Sequence, residues 1–351
     1  MVARSAVDLG PDGGMLLVTD SVSDLLAHYT GRRVLVTGGL GFLGSNAAIA
    51  LRGAGARVTV IDALTEDDGG NRTNLRGFDD IEVVVGDIGD SDVCRPLVES
   101  AELVFNLSGK VSHVDSVKDP LADQYANATS QLRFLETCRH ANPTVRVVYT
   151  STRQIYGRAD TPRVTEESPI RPIDPNGISK FSADAYHRMY TRDFGLPTVV
   201  LRLTNTFGPR QLVRHARQGF IPWFVRLALE NREINVFGDG EQTRDAVYVD
   251  DAVNALLRVG TLPTLSGQAF NVGANDVHSV RAIAEEAIRA AGSGSLRITP
   301  FPEDRGRIDI GSVACDFTAL TQATGWQPET SLRVGMERTV AYYRERLPDY
   351  L

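Results

Sequence analysis

Short apolar runs alternate with longer stretches of helical periodicity from Arg33 to Leu203. The runs predict strands at residues 34–37, 58–61, 82–85, 103–107, 145–150 and 198–203. Strands separated by helices in this way are typical of a parallel sheet that is covered on both faces. The pattern therefore predicts an α/β fold with a doubly wound parallel sheet.

The helical stretches between these strands have clear ends. The periodicity predicts helices at 42–52, 91–99, 121–140 and 179–193. Gly195-Leu196-Pro197 ends the last of them, because glycine and proline do not continue a helix. Beyond Asn205 the alternation loosens, and we expect further helices near 222–230, 250–259, 280–291 and 332–346.

This change of pattern suggests a division of the chain. Residues 1–30 read as an extension that leads into a short helix near 23–29. Residues 31–203 form the first domain, which we expect to be completed by about 247–273. Residues 204–246 and 274–351 would then form a smaller C-terminal α/β lobe that binds substrate.

Composition and charge narrow the range of partners. With 351 residues, of which 42% are hydrophobic, the chain can bury a large core. A net charge of −7 argues against nucleic acid as a partner, since phosphate neutralisation needs a basic surface. No apolar run approaches the roughly 20 residues of a membrane helix, and the start of the chain lacks a signal peptide's pattern, so no membrane partner is expected.

The cysteines bear on compartment and metal binding. Cys94, Cys138 and Cys315 are far apart and lack the spacing of metal ligands. An odd number of scattered cysteines fits a reducing cytosol better than a disulfide scaffold. We therefore expect a cytoplasmic protein without a metal site.

A glycine-rich loop after the first predicted strand carries the first candidate chemistry. In Gly38-Gly39-Leu40-Gly41-Phe42-Leu43-Gly44, Gly38 would make the tight turn, Gly41 would let the backbone approach a pyrophosphate, and Gly44 would let helix pack on strand. Asp62 ends the next strand at a spacing suited to hydrogen bonds with ribose hydroxyls. A Rossmann-type domain that binds NAD is favoured. NADP is the weaker alternative, since Arg57 could favour the phosphate that distinguishes it from NAD. The other alternative is that the glycine loop is only a structural turn.

Several separated motifs show that the chain resembles the extended short-chain dehydrogenase/reductase family, in its NAD-dependent nucleotide-sugar epimerase and dehydratase branch. The motifs are TGGLGFLG at 37–44, GDI at 86–88, NLSG at 106–109, STRQIYG at 151–157, RLTNTFGPR at 202–210 and GDGEQTRD at 238–245. The similarity extends from about Gly31 to the C-terminus.

The resemblance implies a set of ligand contacts. The cofactor would be held by Gly38, Gly41, Phe42, Leu43, Gly44, Asp62, Asp87, Ile88, Leu107, Ser108, Gly109 and Lys180. The nucleotide-diphosphate sugar would meet Thr152, Arg153, Asn205, Arg210, Arg244 and either Arg305 or Arg307. Guanidinium groups suit phosphate oxygens. Members of the family also form homodimers through a four-helix bundle, for which helices 121–140 and 179–193 are the matching segments.

One residue departs from the family pattern. Thr152 and Lys180 match the catalytic Ser/Thr and Lys, but Asn176 stands where the family has a catalytic tyrosine. An amide cannot ionise, and loss of a positioned general base typically costs roughly 10²- to 10⁴-fold in rate. Lys180, Thr152, His113 or Asp174 could carry the proton instead, directly or through a water held by Asn176.

Two alternatives to a substitute proton carrier remain: chemistry that needs no strong base at this position, and a protein that binds its ligands without turnover. Arg153 and Gln154 stand where dehydratases of this branch carry acidic residues. Neither can replace that acid/base pair, so dehydration is disfavoured. The favoured function is that of an NAD-dependent nucleotide-sugar epimerase. A dehydratase or decarboxylase and a catalytically silent binding protein are the alternatives.

Overall fold

The computed structural model describes residues 5–8, 15–18, 20–65, 67–302, 306 and 309–351, with side chains described from Leu25 onward. Within these ranges no helix combines the length and apolar character that a bilayer-spanning segment needs. Parts of the predicted N-terminal extension, namely residues 1–4, 9–14 and 19, lie outside the described residues.

The strands follow one another through the whole chain. In chain order they are β1 (Ser5–Asp8), β2 (Met15–Val18), β3 (Arg33–Thr37), β4 (Arg57–Asp62), β5 (Glu82–Val85), β6 (Leu103–Asn106), β7 (Arg146–Thr152), β8 (Arg163–Val164), β9 (Thr198–Leu203), β10 (Asn205–Phe207), β11 (Glu233–Phe237), β12 (Thr243–Tyr248), β13 (Ala269–Val272), β14 (Val277–Ser279), β15 (Ser295–Thr299) and β16 (Ala314–Cys315).

The described helices connect these strands. They are α1 (Asp20–Tyr29), α2 (Phe42–Gly53), α3 (Ser91–Ser100), α4 (His113–Lys118), α5 (Pro120–Gln124), α6 (Ser130–Ala141), α7 (Pro175–Phe194), α8 (Phe220–Leu229), α9 (Val249–Thr261), α10 (Val280–Ala291), α11 (Thr318–Thr324) and α12 (Leu332–Arg346). A π-helical turn over Tyr125–Thr129 joins α5 to α6.

A parallel sheet of seven strands organises the molecule, in the order β13-β9-β7-β6-β3-β4-β5. The predicted fold class is confirmed. The chain order reverses between β3 and β6, so a crevice opens at the carboxyl ends of these two neighbouring strands. Ligands of open α/β sheets bind in such a crevice.

Both faces of this sheet are buried. Neighbouring residues of β3 point to opposite sides, since Val36 joins one apolar cluster and Leu35 joins the other. Phe105 and Val104 of β6 divide in the same way. Strands that are covered by helices on both faces read as continuous apolar runs, which is why the sequence located them.

Smaller sheets lie beyond β9. Strands β10, β12 and β14 form one, β11 pairs with β15, and β16 pairs with β8. Strand β10 follows β9 after a single residue, so the sheet of β10, β12 and β14 starts directly at the carboxyl edge of the large one. This sheet therefore lies at the same edge as the carboxyl ends of β6 and β7.

Two predicted helices differ in detail from the observed ones. Helix α7 begins at Pro175, four residues before the predicted start, because Asp174 caps it and proline is well suited to its first turn. Asn176 and Lys180 consequently lie one turn apart on the same helix. The predicted helix over 121–140 is interrupted by the π-helical turn.

The end of the N-terminal extension packs on the core. Tyr29, the last residue of α1, is fully buried, and its hydroxyl donates to the carbonyl oxygen of Leu257 at 2.6 Å. This contact fastens α1 to α9.

Candidate active site

A cavity of about 1010 Å³ lies at the carboxyl edge of the parallel sheet. It brings together residues from loops that are far apart in the sequence. Its lining includes the predicted site residues Gly38, Gly41, Phe42, Leu43, Gly44, Asp62, Asp87, Ile88, Leu107, Ser108, Gly109, His113, Thr152, Arg153, Asn176, Lys180, Asn205 and Arg244. A volume of this size accommodates a ligand larger than a single small metabolite.

The glycine loop has the geometry of a phosphate cradle. Gly38 has a positive φ of 64°, and a Cβ at Gly44 would overlap the carbonyl oxygen of Gly38. Gly41 caps α2 without a side-chain hydrogen bond, so the amides of Phe42, Leu43 and Gly44 have no intrahelical acceptor. Together with the helix dipole, these free donors make a site for a pyrophosphate.

Asp62 lies beside this loop at the end of β4. Its Oδ2 accepts from the amide of Leu40 at 3.0 Å, and its Oδ1 accepts from the amide of Leu64 at 2.8 Å. Burial raises the pKa of Asp62, and these two amides oppose that effect. Arg57 starts the same strand at the opposite edge of the sheet, so it does not reach the position where a ribose phosphate would lie.

The backbone that follows β6 is held in place by hydrogen bonds to buried polar groups. Thr37 Oγ1 accepts from the amides of Leu107 and Ser108 at 3.1 and 3.2 Å, and donates to Asn106 Oδ1 at 2.7 Å. Gly109 has a φ of 147°, and a Cβ there would lie 2.6 Å from Lys180 Nζ. The backbone at Gly109 is therefore held against the lysine.

Lys180 is buried on α7 with its ammonium group next to Gly109. Burial lowers the pKa of Lys180 to about 8, and the neighbouring Asp123 carboxylate opposes the shift. A buried cation that faces a cavity suits a ribose hydroxyl. It also remains mostly charged near neutral pH.

Asn176 makes contacts that the sequence did not predict. Its Nδ2 donates to Asp123 Oδ2 at 2.8 Å and to the carbonyl oxygen of Lys110 at 3.0 Å. Asn127 Nδ2 donates to the same two atoms at 3.0 and 3.1 Å. Asp123 is 1% exposed, and its Oδ1 has no hydrogen-bond partner among the described residues. The asparagine at the tyrosine position therefore belongs to a buried carboxylate–amide cluster that lies beside Lys180.

A second acidic group lies at the start of α7. Asp174 Oδ1 accepts from the amide of Gly177 at 2.7 Å, and its Oδ2 accepts from Gln154 Nε2 at 2.8 Å. His113 Nδ1 lies 3.0 Å from the same Oδ2, although the two atoms are not aligned as a hydrogen bond. Thr152 Oγ1 accepts from the amide of Gln154 at 3.2 Å. The candidate catalytic residues Thr152 and His113 are thus linked through Gln154 and Asp174.

Two guanidinium groups form the opposite wall of the cavity. Arg244 lies 3.1 Å from Asp309 Oδ2 and is buried, which lowers its pKa to about 10; the nearby charge of Arg153 acts in the same direction. Arg153 donates to Asn205 Oδ1 and to the carbonyl oxygen of Val313. Among the described residues, Asp309 is the one carboxylate that forms an ion pair with either group. Two adjacent positive groups with so little compensating negative charge favour binding of an anion such as a diphosphate.

The structure places one predicted substrate residue elsewhere. Arg210 is buried, and its guanidinium donates to the carbonyl oxygen of Asn74 and to Asn46 Oδ1. The guanidinium carbon of Arg210 lies over the ring of Tyr342. Arg210 thus joins α2 and α12, and it is not among the described residues that line the cavity. The predictions for Arg305 and Arg307 lie outside the described residues.

Asp123, which accepts hydrogen bonds from Asn176 and Asn127 beside Lys180, is the residue near the site that the sequence did not predict. The only local sign was its position one helical turn before Asn127, at i and i+4. Nothing in the sequence indicated that both residues meet Asn176, which follows 53 positions after Asp123. Among the described residues no group of three acidic, histidine or cysteine side chains is arranged to hold a metal ion.

Comparisons with known proteins agree with this geometry. The sequence model of the NAD dependent epimerase/dehydratase family matches residues 34–273. The chain is 33% identical to the UDP-glucose 4-epimerase of Mycolicibacterium smegmatis, over 90% of this chain and 99% of that protein.

The fold is also similar to solved structures of a nucleotide-sugar epimerase and a nucleotide-sugar dehydratase. The UDP-glucose 4-epimerase of Thermotoga maritima, solved with UDP-glucose, superposes with a TM-score of 0.81 at 30% identity and covers 90% of this chain and 99% of its own. A dTDP-glucose 4,6-dehydratase of Streptomyces venezuelae with NAD bound has a TM-score of 0.81 at 28% identity, with coverage of 90% and 98%.

Proposed function

Because the chain belongs to the NAD-dependent epimerase/dehydratase family, we propose that it is a nucleotide-diphosphate-sugar epimerase. The membership confirms the resemblance drawn from the motifs, and it confirms NAD as the cofactor. The proposal rests above all on one observation: a single cavity joins the glycine loop, Asp62 and Lys180 to a buried pair of arginines.

The cofactor half of the cavity fits NAD. The amides at the start of α2 would hold the pyrophosphate, Asp62 would accept from the adenosine ribose, and Asp87 would meet the adenine. Lys180 would donate to the nicotinamide ribose. Bound NAD supplies a hydride acceptor and later returns the hydride to the sugar.

The other half of the cavity fits a sugar linked to a diphosphate. Arg244 and Arg153 would bind the phosphate oxygens, Asn205 would orient Arg153, and Thr152 would hydrogen-bond the reacting sugar hydroxyl. Thr152 ends β7 and Arg153 directly follows it, while Asn205 lies in β10 and Arg244 in β12. We accordingly propose that residues 204–246 and 274–351 form the substrate lobe around the domain of 31–203, completed by 247–273.

Epimerisation is favoured over dehydration by the residues after Thr152. Arg153 is a permanent cation, and Gln154 is a neutral amide whose Nε2 donates to Asp174. Neither residue can remove a proton from a sugar carbon and expel a hydroxyl group. A cycle of oxidation and re-reduction needs no such pair and leaves the cofactor unchanged.

The test is a panel of UDP-, GDP-, CDP- and dTDP-sugars incubated with purified protein, with products separated by chromatography and released cofactor measured after denaturation. We expect bound NAD and conversion of at least one sugar to its epimer. Bound NAD with no conversion of any sugar would support a silent binding protein. A 4-keto-6-deoxy product would show a dehydratase.

We further propose that the protein is a cytoplasmic homodimer. Leu121 on α5 is 80% exposed and Ile178 on α7 is 54% exposed, on two helices that pack against each other. Large apolar side chains on adjacent helices indicate a contact surface with a second copy. Light scattering should give twice the mass of the chain, and a monomer at micromolar concentration would contradict the proposal.

A further inference from the structure

His113 stands at the start of α4 with the two edges of its ring in different surroundings. Nδ1 is buried beside Asp174 Oδ2, at 3.0 Å. The side chain is 32% exposed and lines the cavity. Because Nδ1 is buried while the side chain is 32% exposed, we infer that the opposite edge of the ring, which carries Nε2, is the part that a ligand in the cavity can reach.

Asp174 is held in the ionised state. Burial on its own would raise the pKa of Asp174, but the contacts with His113, the amide of Gly177 and Gln154 lower it overall. An ionised carboxylate can only accept hydrogen bonds. The neutral imidazole beside it must therefore carry its proton on Nδ1, which leaves a lone pair on Nε2.

The other polar groups near the tyrosine position are engaged. Asn176 uses its amide donors on Asp123 and on the carbonyl oxygen of Lys110. Lys180 lies against Gly109, where it is placed to contact the ribose. A base whose proton is fixed on one nitrogen by a carboxylate, with the second nitrogen facing the reacting group, is an arrangement that recurs in hydrolytic enzymes.

We propose that His113, oriented by Asp174, carries the proton that the missing phenol would otherwise carry. The inference rests on the proposed epimerase function. As the sugar carbon gives up hydride to the nicotinamide cofactor, the O–H bond of its hydroxyl breaks. The O–H electron pair forms the carbonyl, and the proton goes to His113 Nε2. The same proton returns to the oxygen when the hydride is delivered to the opposite face, so the cycle is balanced.

The proposal predicts that two substitutions lower kcat, each for a different physical reason. His113→Gln should lower kcat by roughly 10²- to 10⁴-fold, with KM and the content of bound NAD unchanged. Asp174→Asn should lower kcat to a similar extent, although asparagine caps a helix as well as aspartate does. The new amide would donate to Nδ1 and move the ring proton to Nε2.

Asp119 offers a matched control, because it caps α5 in the same way and is exposed. Asp119→Asn keeps a cap, changes no cavity residue and should leave kcat unaltered. Equal losses of kcat in Asp119→Asn and Asp174→Asn would show a general effect of charge removal and would overturn the positioning role of Asp174.

Nitrogen NMR of histidine gives a readout that does not depend on turnover. The chain has six histidines, and the resonance missing in His113→Gln identifies His113. We expect the Nδ1-protonated tautomer in the wild type and the Nε2-protonated tautomer in Asp174→Asn. Absence of turnover by the wild type on every sugar nucleotide would overturn the proposed function itself. When turnover is present, an undiminished kcat in His113→Gln, or an Nε2-protonated ring in the wild type, would overturn the role of His113 alone.

Discussion

Replacing Lys180 with methionine should change the pH dependence of stability in a defined direction. Burial lowers the pKa of Lys180 from 10.5 to about 8. At roughly 1.4 kcal/mol for each pKa unit, burying this ammonium group costs about 3 kcal/mol of folding free energy. Methionine has a similar shape and no charge, so it removes that cost.

The sign follows from proton binding. Below pH 8 the lysine is protonated in both the folded and the unfolded protein, and the full cost is present. Between pH 8 and 10.5 the folded protein releases its proton first, so the unfolded chain binds more protons and wild-type stability rises with pH. The stability of Lys180→Met relative to wild type should therefore fall by about 3 kcal/mol between pH 7 and 10.5.

Urea denaturation of cofactor-free protein at several pH values measures this difference, because tyrosine and cysteine titrations cancel between the two proteins. Lys118→Met is the matched control, since Lys118 is 68% exposed on α4. Its effect should stay within about 0.5 kcal/mol at every pH. A difference between Lys180→Met and wild type that is constant across this range would refute the reasoning.

Three other substitutions test other parts of the site. Gly44→Ala should abolish NAD retention in the purified protein, because the new Cβ would overlap the carbonyl oxygen of Gly38; retained cofactor would contradict this. Arg244→Gln should raise KM for the sugar nucleotide roughly 10- to 100-fold through loss of charge-assisted hydrogen bonds, while NAD content stays constant. Asp123→Leu should destabilise the protein by about 3–5 kcal/mol in urea denaturation, since it leaves the buried ammonium group of Lys180 without its carboxylate; a change below 1 kcal/mol would count against the cluster.

Local patterns predicted much of the fold and of the cofactor site. The buried strands appear in the sequence as apolar runs, and the spacing from the glycine loop identified Asp62 as the acidic residue beside it. The start of α7 could have been predicted as well, because Asp174 and Pro175 are residues that cap and open helices. The sequence thus located the parts of the site that depend on neighbours along the chain.

The remaining parts depend on contacts between distant segments. Arg210 lies inside a family motif, yet its guanidinium binds residues of the loop near Asn74, 136 positions away. Asp123 reaches Asn176 across 53 positions. Neither contact leaves a periodic or spacing signal, so one sequence alone could not separate the structural arginine from those of the cavity, or show the carboxylate beside the lysine.

The π-helical turn at Tyr125–Thr129 bears on how this protein could diverge. Such a turn is an α-helix with one extra residue, so removing a single residue there would allow α5 and α6 to join as one regular helix. Asn127 lies inside the turn, and the deletion would draw a different side chain toward Asp123. Deletion of a single codon would thereby change which side chains surround Lys180.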